Sequence, residues 1–268
     1  RQQRIMDALL NYSTNLTSVH DTDPNSPQSL ALDWLLFNDT NSALRNLNND
    51  SSGPPTMILQ RYALAALFFS TNGPQWKNRL SFLTDRHVCE WNVNDDGSQP
   101  NNDSLNVFSL SALSNATYGI YCNASSSSTT REPEDVVQQI RLSHNDLVGT
   151  IPSELGLLSN LQVVQLENNT LDHDLPTELG MLTALEELIL ATNLLDGTLP
   201  TEWGQCTALT HLQLSTNNLV GMIPAELGQL TLLQQLDLHD NRFTGTLPIE
   251  MGGWSALEQL DLYRNYMG

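Results

Sequence analysis

A chain of 268 residues, 40% of them hydrophobic, is long enough to bury a continuous core. Its 30 acidic residues against 11 Lys and Arg give a formal net charge of −19, which argues against nucleic acid or an anionic membrane as the main partner. No stretch is long and apolar enough to read as a membrane-spanning helix.

The chain begins at Arg1 rather than Met and shows no leader pattern, so it reads as a processed or truncated product. Residues 1–25 are polar and rich in Asn and Thr, apart from Ile5-Met6 and Leu9-Leu10, and predict a weakly structured arm with one helical turn. Residues 26–135 predict a helical cap. Ser26-Pro27 supplies an N-cap and a first-turn proline, and Leu30, Ala31, Trp34 and Leu35 follow at helical spacing. The predicted short helix spans Pro27 to Phe37. An Asn/Ser/Asp-rich loop follows over residues 38–53. A second helix is expected from Pro55-Thr56 to Phe69, ended by the breaker Thr71-Asn72-Gly73-Pro74. Trp76 and Trp91 read as cap core. The tract from Ala124 to Thr130 is low-complexity Ser/Thr and reads as a mobile connector.

From Val137 onward one 24-residue pattern is written five times and begun a sixth: L-x-x-L-x-L-x-x-N-x-L-x-G-x-I/L-P-x-E-L-G-x-L-x-x. Its Asn recurs at Asn145, Asn169, Asn193, Asn217, Asn241 and Asn265, and its Pro at Pro152, Pro176, Pro200, Pro224 and Pro248. Self-similarity at this period is the mark of a leucine-rich repeat solenoid. In Leu209-Thr210-His211-Leu212-Gln213-Leu214, apolar and polar residues alternate, which predicts a strand with Leu212 and Leu214 inward and His211 and Gln213 outward. One strand cannot bury itself, so stacked copies form a parallel sheet on the concave side. The ladder Asn is placed to satisfy backbone groups where the chain leaves the strand. Gly149, Gly197, Gly221 and Gly245 suit a bend; His173 takes that place in the second repeat, where a distorted bend is expected. The Pro-x-Glu-Leu-Gly stretch suits a short helical turn on the convex side, with Glu complementing the turn's dipole. The expected fold is therefore an α/β solenoid, a right-handed superhelix with a parallel concave sheet over residues 136–268 and the helical cap at its start.

The L-x-G-x-I-P-x-E-L-G form resembles the plant-type leucine-rich repeats of receptor-kinase ectodomains and polygalacturonase-inhibiting proteins. The stretch Ser26-Pro27-Gln28 through Leu35, with Gln60-Arg61-Tyr62-Ala63-Leu64 and Phe68-Phe69-Ser70-Thr71-Asn72-Gly73, resembles the N-terminal region of leucine-rich repeat proteins from diatoms. Cys89-Glu90-Trp91, completed by Gly119-Ile120-Tyr121-Cys122, is similar to the C-x-W-x-G-V-x-C cap signature preceding plant-type repeats, with residues 92–118 inserted as an Asn/Ser-rich surface loop. On that likeness Cys89 and Cys122 form a bridge, worth about 3–4 kcal/mol in the loop-entropy account. Cys206 is then a free thiol, read as a buried small hydrophobe.

Eight N-x-S/T sequons, at Asn11, Asn15, Asn38, Asn49, Asn102, Asn115, Asn123 and Asn168, favour the secretory route and an extracellular or cell-surface glycoprotein. No phosphate-cradling loop, zinc-ligand spacing or catalytic constellation occurs, so no enzyme activity, cofactor or metal is assigned. Glu154, Glu178, Glu202, Glu226 and Glu250 form a ladder that calcium could bridge, yet this Glu belongs to the repeat pattern itself. His211 and His239 face outward near Asp237 and Asp261, which reads as a binding surface ahead of a metal site. From Arg131 onward there are 19 acids against 4 bases, so the repeats carry most of the negative charge.

Outward strand positions form three columns: Gln139, Val163, Glu187, His211, Gln235, Gln259; Arg141, Gln165, Ile189, Gln213, Asp237, Asp261; and Ser143, Glu167, Ala191, Ser215, His239, Tyr263. Their variety is not demanded by a core and suits recognition. Glu187, His211, Gln213, Asp237, His239, Asp261 and Tyr263 are the candidate ligand-binding patch, with Tyr263 as anchor. The resemblance implies a peptide, protein or glycan ligand. Two other readings stay open: a structural or adhesion glycoprotein packing against neighbouring chains, and an inhibitor of a secreted enzyme. The sixth repeat breaks off before its Pro, so further repeats or another subunit are expected over the edge made by Leu257, Leu260 and Leu262.

Overall fold

The structure is a computed structural model that describes residues 2, 5–7, 9, 23–39, 55–80, 82–84, 88, 91, 119–122 and 136–268. Cys89, the loop at residues 92–118 and the tract from Ala124 to Thr130 lie outside the described residues. So do the sequons at Asn11, Asn15, Asn49, Asn102, Asn115 and Asn123.

Helix α1 spans Pro27–Asp33, and its Ser26 N-cap side chain accepts a hydrogen bond from the backbone N–H of Ser29. The chain then widens into a π turn over Trp34–Asn38 rather than continuing as α-helix to Phe37. Helix α2 spans Pro55–Ser70, and Asn72, in a left-handed conformation, ends it. Trp76 and Trp91 are both buried in the core, as expected. Between Trp34 and Trp91 lies the guanidinium of Arg61, 5.1 and 5.0 Å from the two ring centres. It pairs with the buried Asp39 and donates to the carbonyl of Thr84. A buried charge is tolerated only with such compensation. Ile5 and Leu9, in the otherwise polar N-terminal stretch, are fully buried and join the same core.

Seven strands form the main sheet in chain order: β1 (Gly119–Cys122), β2 (Val137–Arg141), β3 (Val163–Gln165), β4 (Glu187–Ile189), β5 (His211–Gln213), β6 (Gln235–Asp237) and β7 (Gln259–Asp261). From β2 to β7 the pairing is parallel and the register is 24 residues, so Val164, Leu188, Leu212, Leu236 and Leu260 stack as one column. Strand β1 pairs antiparallel to β2, a cap strand that repeat periodicity does not announce. On the opposite side each repeat makes a 3-10 turn: Ser153–Leu157, Thr177–Met181, Thr201–Gln205, Ala225–Gln229 and Ile249–Gly253, each preceded by its Pro in extended conformation. Leucines from both sides fill the space between.

The Asn ladder explains why the layers register. Asn169 accepts from the backbone N–H of Asn145 and of Leu147, and donates to the carbonyls of Leu142 and Leu166. Each such side chain therefore closes its own turn and ties it to the previous repeat. Asn145 begins the ladder by bonding both backbone groups of Asn78, which joins the first repeat to the cap. The cap contributes further: the carbonyls of Ser70 and Thr71 accept from Thr150 and Val148.

Two details differ from the sequence expectation. His173 does not distort its bend; it adopts φ +65°, beside the +70° of Gly197 at the same repeat position. The left-handed conformation is within reach of a histidine at modest cost, so the repeat geometry prevails. Val163 and Ser215, in outward columns, are buried. The last strand is exposed where its predecessors are not: Leu260 retains 43% of its surface, whereas Leu236 has none.

Candidate functional site

The seven-stranded sheet positions the outward columns. Adjacent strands bring Glu187, His211, Gln235 and Gln259 into one row and Ile189, Gln213, Asp237 and Asp261 into the next. The patch residues fall into two groups.

At the N-terminal side, polar side chains are tied to one another. Arg141 donates to Gln139 at 3.0 Å and to Gln165 at 2.7 Å, and Gln165 donates to Glu187 at 3.3 Å. Glu187 therefore belongs to a relay running back toward β2. His211 shares a hydrogen bond with the Thr210 hydroxyl beside it on the chain, at 2.9 Å. Glu167 sits half-buried in this region. Burial raises its carboxyl above the ordinary value, opposed by the Ser143 hydroxyl, its own backbone N–H, His144 and Arg141. One of its oxygens, Oε2, has no hydrogen-bond partner.

At the C-terminal side, four predicted residues meet directly. His239 Nδ1 lies 2.6 Å from Asp237 Oδ1 and 3.8 Å from Asp261 Oδ2. Its ring stacks on Tyr263 with centroids 4.6 Å apart and planes 7° from parallel. Both carboxylates are oriented by backbone: Asp237 accepts from the N–H of His239 and Asp261 from that of Tyr263, each at 3.2 Å. Gln213 stands in register beside Asp237. The patch is thus a flat aromatic pair ringed by carboxylates, half-buried except for the exposed Tyr263.

Two residues complete this cluster that sequence reasoning did not select. Arg264 lies over Tyr263, 5.5 Å from the ring centre, and pairs with Asp240 at 3.2 Å. Asp240 Oδ2 is also 3.9 Å from His239 Nε2. Both occupy the position just before a ladder Asn, where φ is positive at +52°. That position reads as a turn residue, and the only available signal was opposite charge one repeat apart.

Elsewhere, Cys206 is the free thiol among the described residues, buried and hydrogen-bonded to the carbonyl of Leu179. Burial pushes its thiol up to about 11, which keeps it protonated and unreactive. Cys122 is disulfide-bonded. His173, fully exposed, is hydrogen-bonded to Asp172 at 2.7 Å; that bond and the negative charges of Asp172, Asp196 and Asp174 raise its basicity. In the convex Glu ladder, Glu154 is fully buried beneath α1, accepting from Gln28 at 3.3 Å, while Glu202, Glu226 and Glu250 are exposed. No helix among the described residues is long and apolar enough to cross a membrane.

A stacked parallel sheet, one 3-10 turn per repeat and a buried Asn ladder define a leucine-rich repeat solenoid. The family model described as Leucine Rich Repeat matches residues 137–158, 208–230 and 232–254. None of the curated proteins matches the chain. Among solved structures, the ectodomain of the receptor kinase SOBIR1 from Arabidopsis thaliana is 30% identical, with a TM-score of 0.50, over 55% of this chain and 80% of that one. The Arabidopsis receptor kinase HAESA, solved with the peptide hormone IDA and the co-receptor SERK1, is 31% identical, with a TM-score of 0.50, over 57% of this chain and 24% of that one. The ectodomain of the Arabidopsis thaliana receptor kinase GASSHO1/SCHENGEN3 is 43% identical over 48% of this chain, with a TM-score of 0.48. The chain spans only 16% of the length of that ectodomain. By its repeats the chain belongs to the plant-type leucine-rich repeat proteins, the family of receptor-kinase ectodomains.

Proposed function

We propose that this chain is an extracellular, non-catalytic recognition module that binds a peptide or protein ligand through the C-terminal half of its concave sheet. The observation that carries the reading is the convergence of Asp237, His239, Asp261 and Tyr263 from adjacent repeats into one accessible patch. None of these side chains is needed by the core, which the inward leucines already fill. An aromatic pair framed by carboxylates gives both a contact surface and charge selectivity, and with the acidic repeats it favours ligands carrying Lys or Arg. The HAESA ectodomain, solved in complex with a peptide hormone, supports a peptide as the ligand class.

In this reading Glu187, His211 and Gln213 extend the surface toward the centre of the sheet. Exposed Asn38 and Asn168 carry N-glycans outside the patch, Cys89 is the bridge partner of Cys122, and a further layer covers exposed Leu260. The test is selection of a peptide display library on the intact chain. Selected peptides are expected to be basic and to lose at least about tenfold in affinity for the double variant Asp237→Ala/Tyr263→Ala. Peptides that bind this variant as well as the parent would refute the patch.

A further inference from the structure

We infer that Asp237, His239 and Asp261 form a site for a divalent transition metal of the zinc class. This goes beyond the peptide reading, which needs no metal. Three potential ligand atoms, one from each residue, lie within 4.8 Å of one another. They come from two adjacent repeats, Asp237 ending β6 and His239 two residues beyond it, with Asp261 standing one repeat on from Asp237.

The separations fit a single ion. Two ligand atoms at ~2.0–2.1 Å from a tetrahedral zinc stand roughly 3.3 Å apart. The observed distances from His239 Nδ1, 2.6 Å to Asp237 and 3.8 Å to Asp261, bracket that value, and shifts of about 0.5–0.7 Å bring both to it. The geometry is already constrained. Tyr263 fixes the plane of the imidazole by stacking, and backbone N–H groups hold both carboxylates.

Donor chemistry selects the ion. One imidazole nitrogen with two carboxylates suits zinc and its first-row neighbours, whereas calcium and magnesium take oxygen shells. The metal binds the Nδ1 lone pair of the neutral imidazole, in the tautomer whose single proton is on the other ring nitrogen. Nε2 then carries the ring proton and faces Asp240 Oδ2 at 3.9 Å, the outer carboxylate that commonly orients a metal-bound histidine. Asp261 is the most exposed of the three, so the ion keeps a coordination position open to solvent.

The test uses the metal alone on the intact chain. Titration calorimetry with Zn2+ is expected to show one saturable site, weakened at least about tenfold by His239→Ala and by Asp261→Asn. His173→Ala, which removes the exposed histidine beside Asp172, is expected to leave binding unchanged. Co2+ is expected to give the visible absorption of a low-symmetry four-coordinate site, lost in the same two variants. Circular dichroism confirms that each variant is folded. Absence of saturable binding, binding indifferent to both patch variants, or binding abolished by His173→Ala would each overturn the assignment. None of these results bears on peptide binding, which is measured without added metal.

Discussion

Replacing Asn193 with Leu removes the side-chain hydrogen bonds of a ladder Asn from the middle of the solenoid without opening a cavity, because leucine is no smaller than asparagine. Asn193 is buried; its Oδ1 accepts from the N–H of Leu171 at 3.0 Å, and its Nδ2 donates to the carbonyls of Leu166 and Leu190, both at 3.0 Å. The variant leaves the Leu171 N–H facing an apolar neighbour, while the carbonyls of Leu166 and Leu190 each keep one donor, Asn169 Nδ2 and Asn217 Nδ2. At about 1–3 kcal/mol for the unpaired N–H and about 0.5–1 kcal/mol for each of the two lost bonds to carbonyls, the loss is ~2–5 kcal/mol. Burial of the leucine returns about 1.5 kcal/mol, leaving a net destabilisation of about 1–3 kcal/mol. Urea unfolding followed by far-ultraviolet circular dichroism measures it, with the slope checked for constancy. Asn160→Leu, at an exposed turn position, is the control. An Asn193→Leu midpoint equal to that of the control would refute the ladder's role in holding the layers together.

Other expectations follow from single contacts. An alanine Cβ at Gly204 would stand 2.4 Å from the Glu226 carbonyl oxygen of the next repeat, whereas at Gly252, the same repeat position, nothing lies within 4 Å. Gly204→Ala should cost about 1–3 kcal/mol in urea unfolding and Gly252→Ala close to none. Glu167 has a folded-state carboxyl raised by burial, so the native state holds its proton more tightly than the unfolded chain does. Its contribution is most favourable below the ordinary value of 4.5 and is lost as pH rises through the raised one. Glu167→Gln should therefore raise the melting temperature at pH 7 and give no gain at pH 4. The Cys206 thiol, with its pKa pushed up to about 11, should resist a thiol reagent at pH 8 until urea unfolds the chain.

Much of the fold was legible because one repeat states its own constraints and the next repeats them. Knowing that positions 24 apart stack was enough to place Asp237 beside Asp261 and His239 beside Tyr263 before any coordinates. The ladder Asn was equally readable, since a conformationally constrained turn with unpaired backbone groups needs an amide. What periodicity could not supply lay where the period stops. Antiparallel β1 and the burial of Glu154 both arise from the cap closing over the first repeat, and Glu154 is written identically to its exposed counterparts. The pairing of Arg264 with Asp240 was missed because turn positions are set by backbone conformation, which hides what their side chains do. His173 shows the converse: the residue type suggested distortion, but pairing in register with Leu195 of the next repeat holds the bend.

The most direct test of the concave recognition surface is site-specific photo-crosslinking of a bound peptide taken from the library selection. Benzoylphenylalanine is placed at Tyr263 or Gln235 on the sheet, and at Met181 or Gln229 on the convex turns. The account predicts crosslinks from the two sheet positions and none from the two turns. Crosslinks from the turns, with the sheet positions silent, would contradict it.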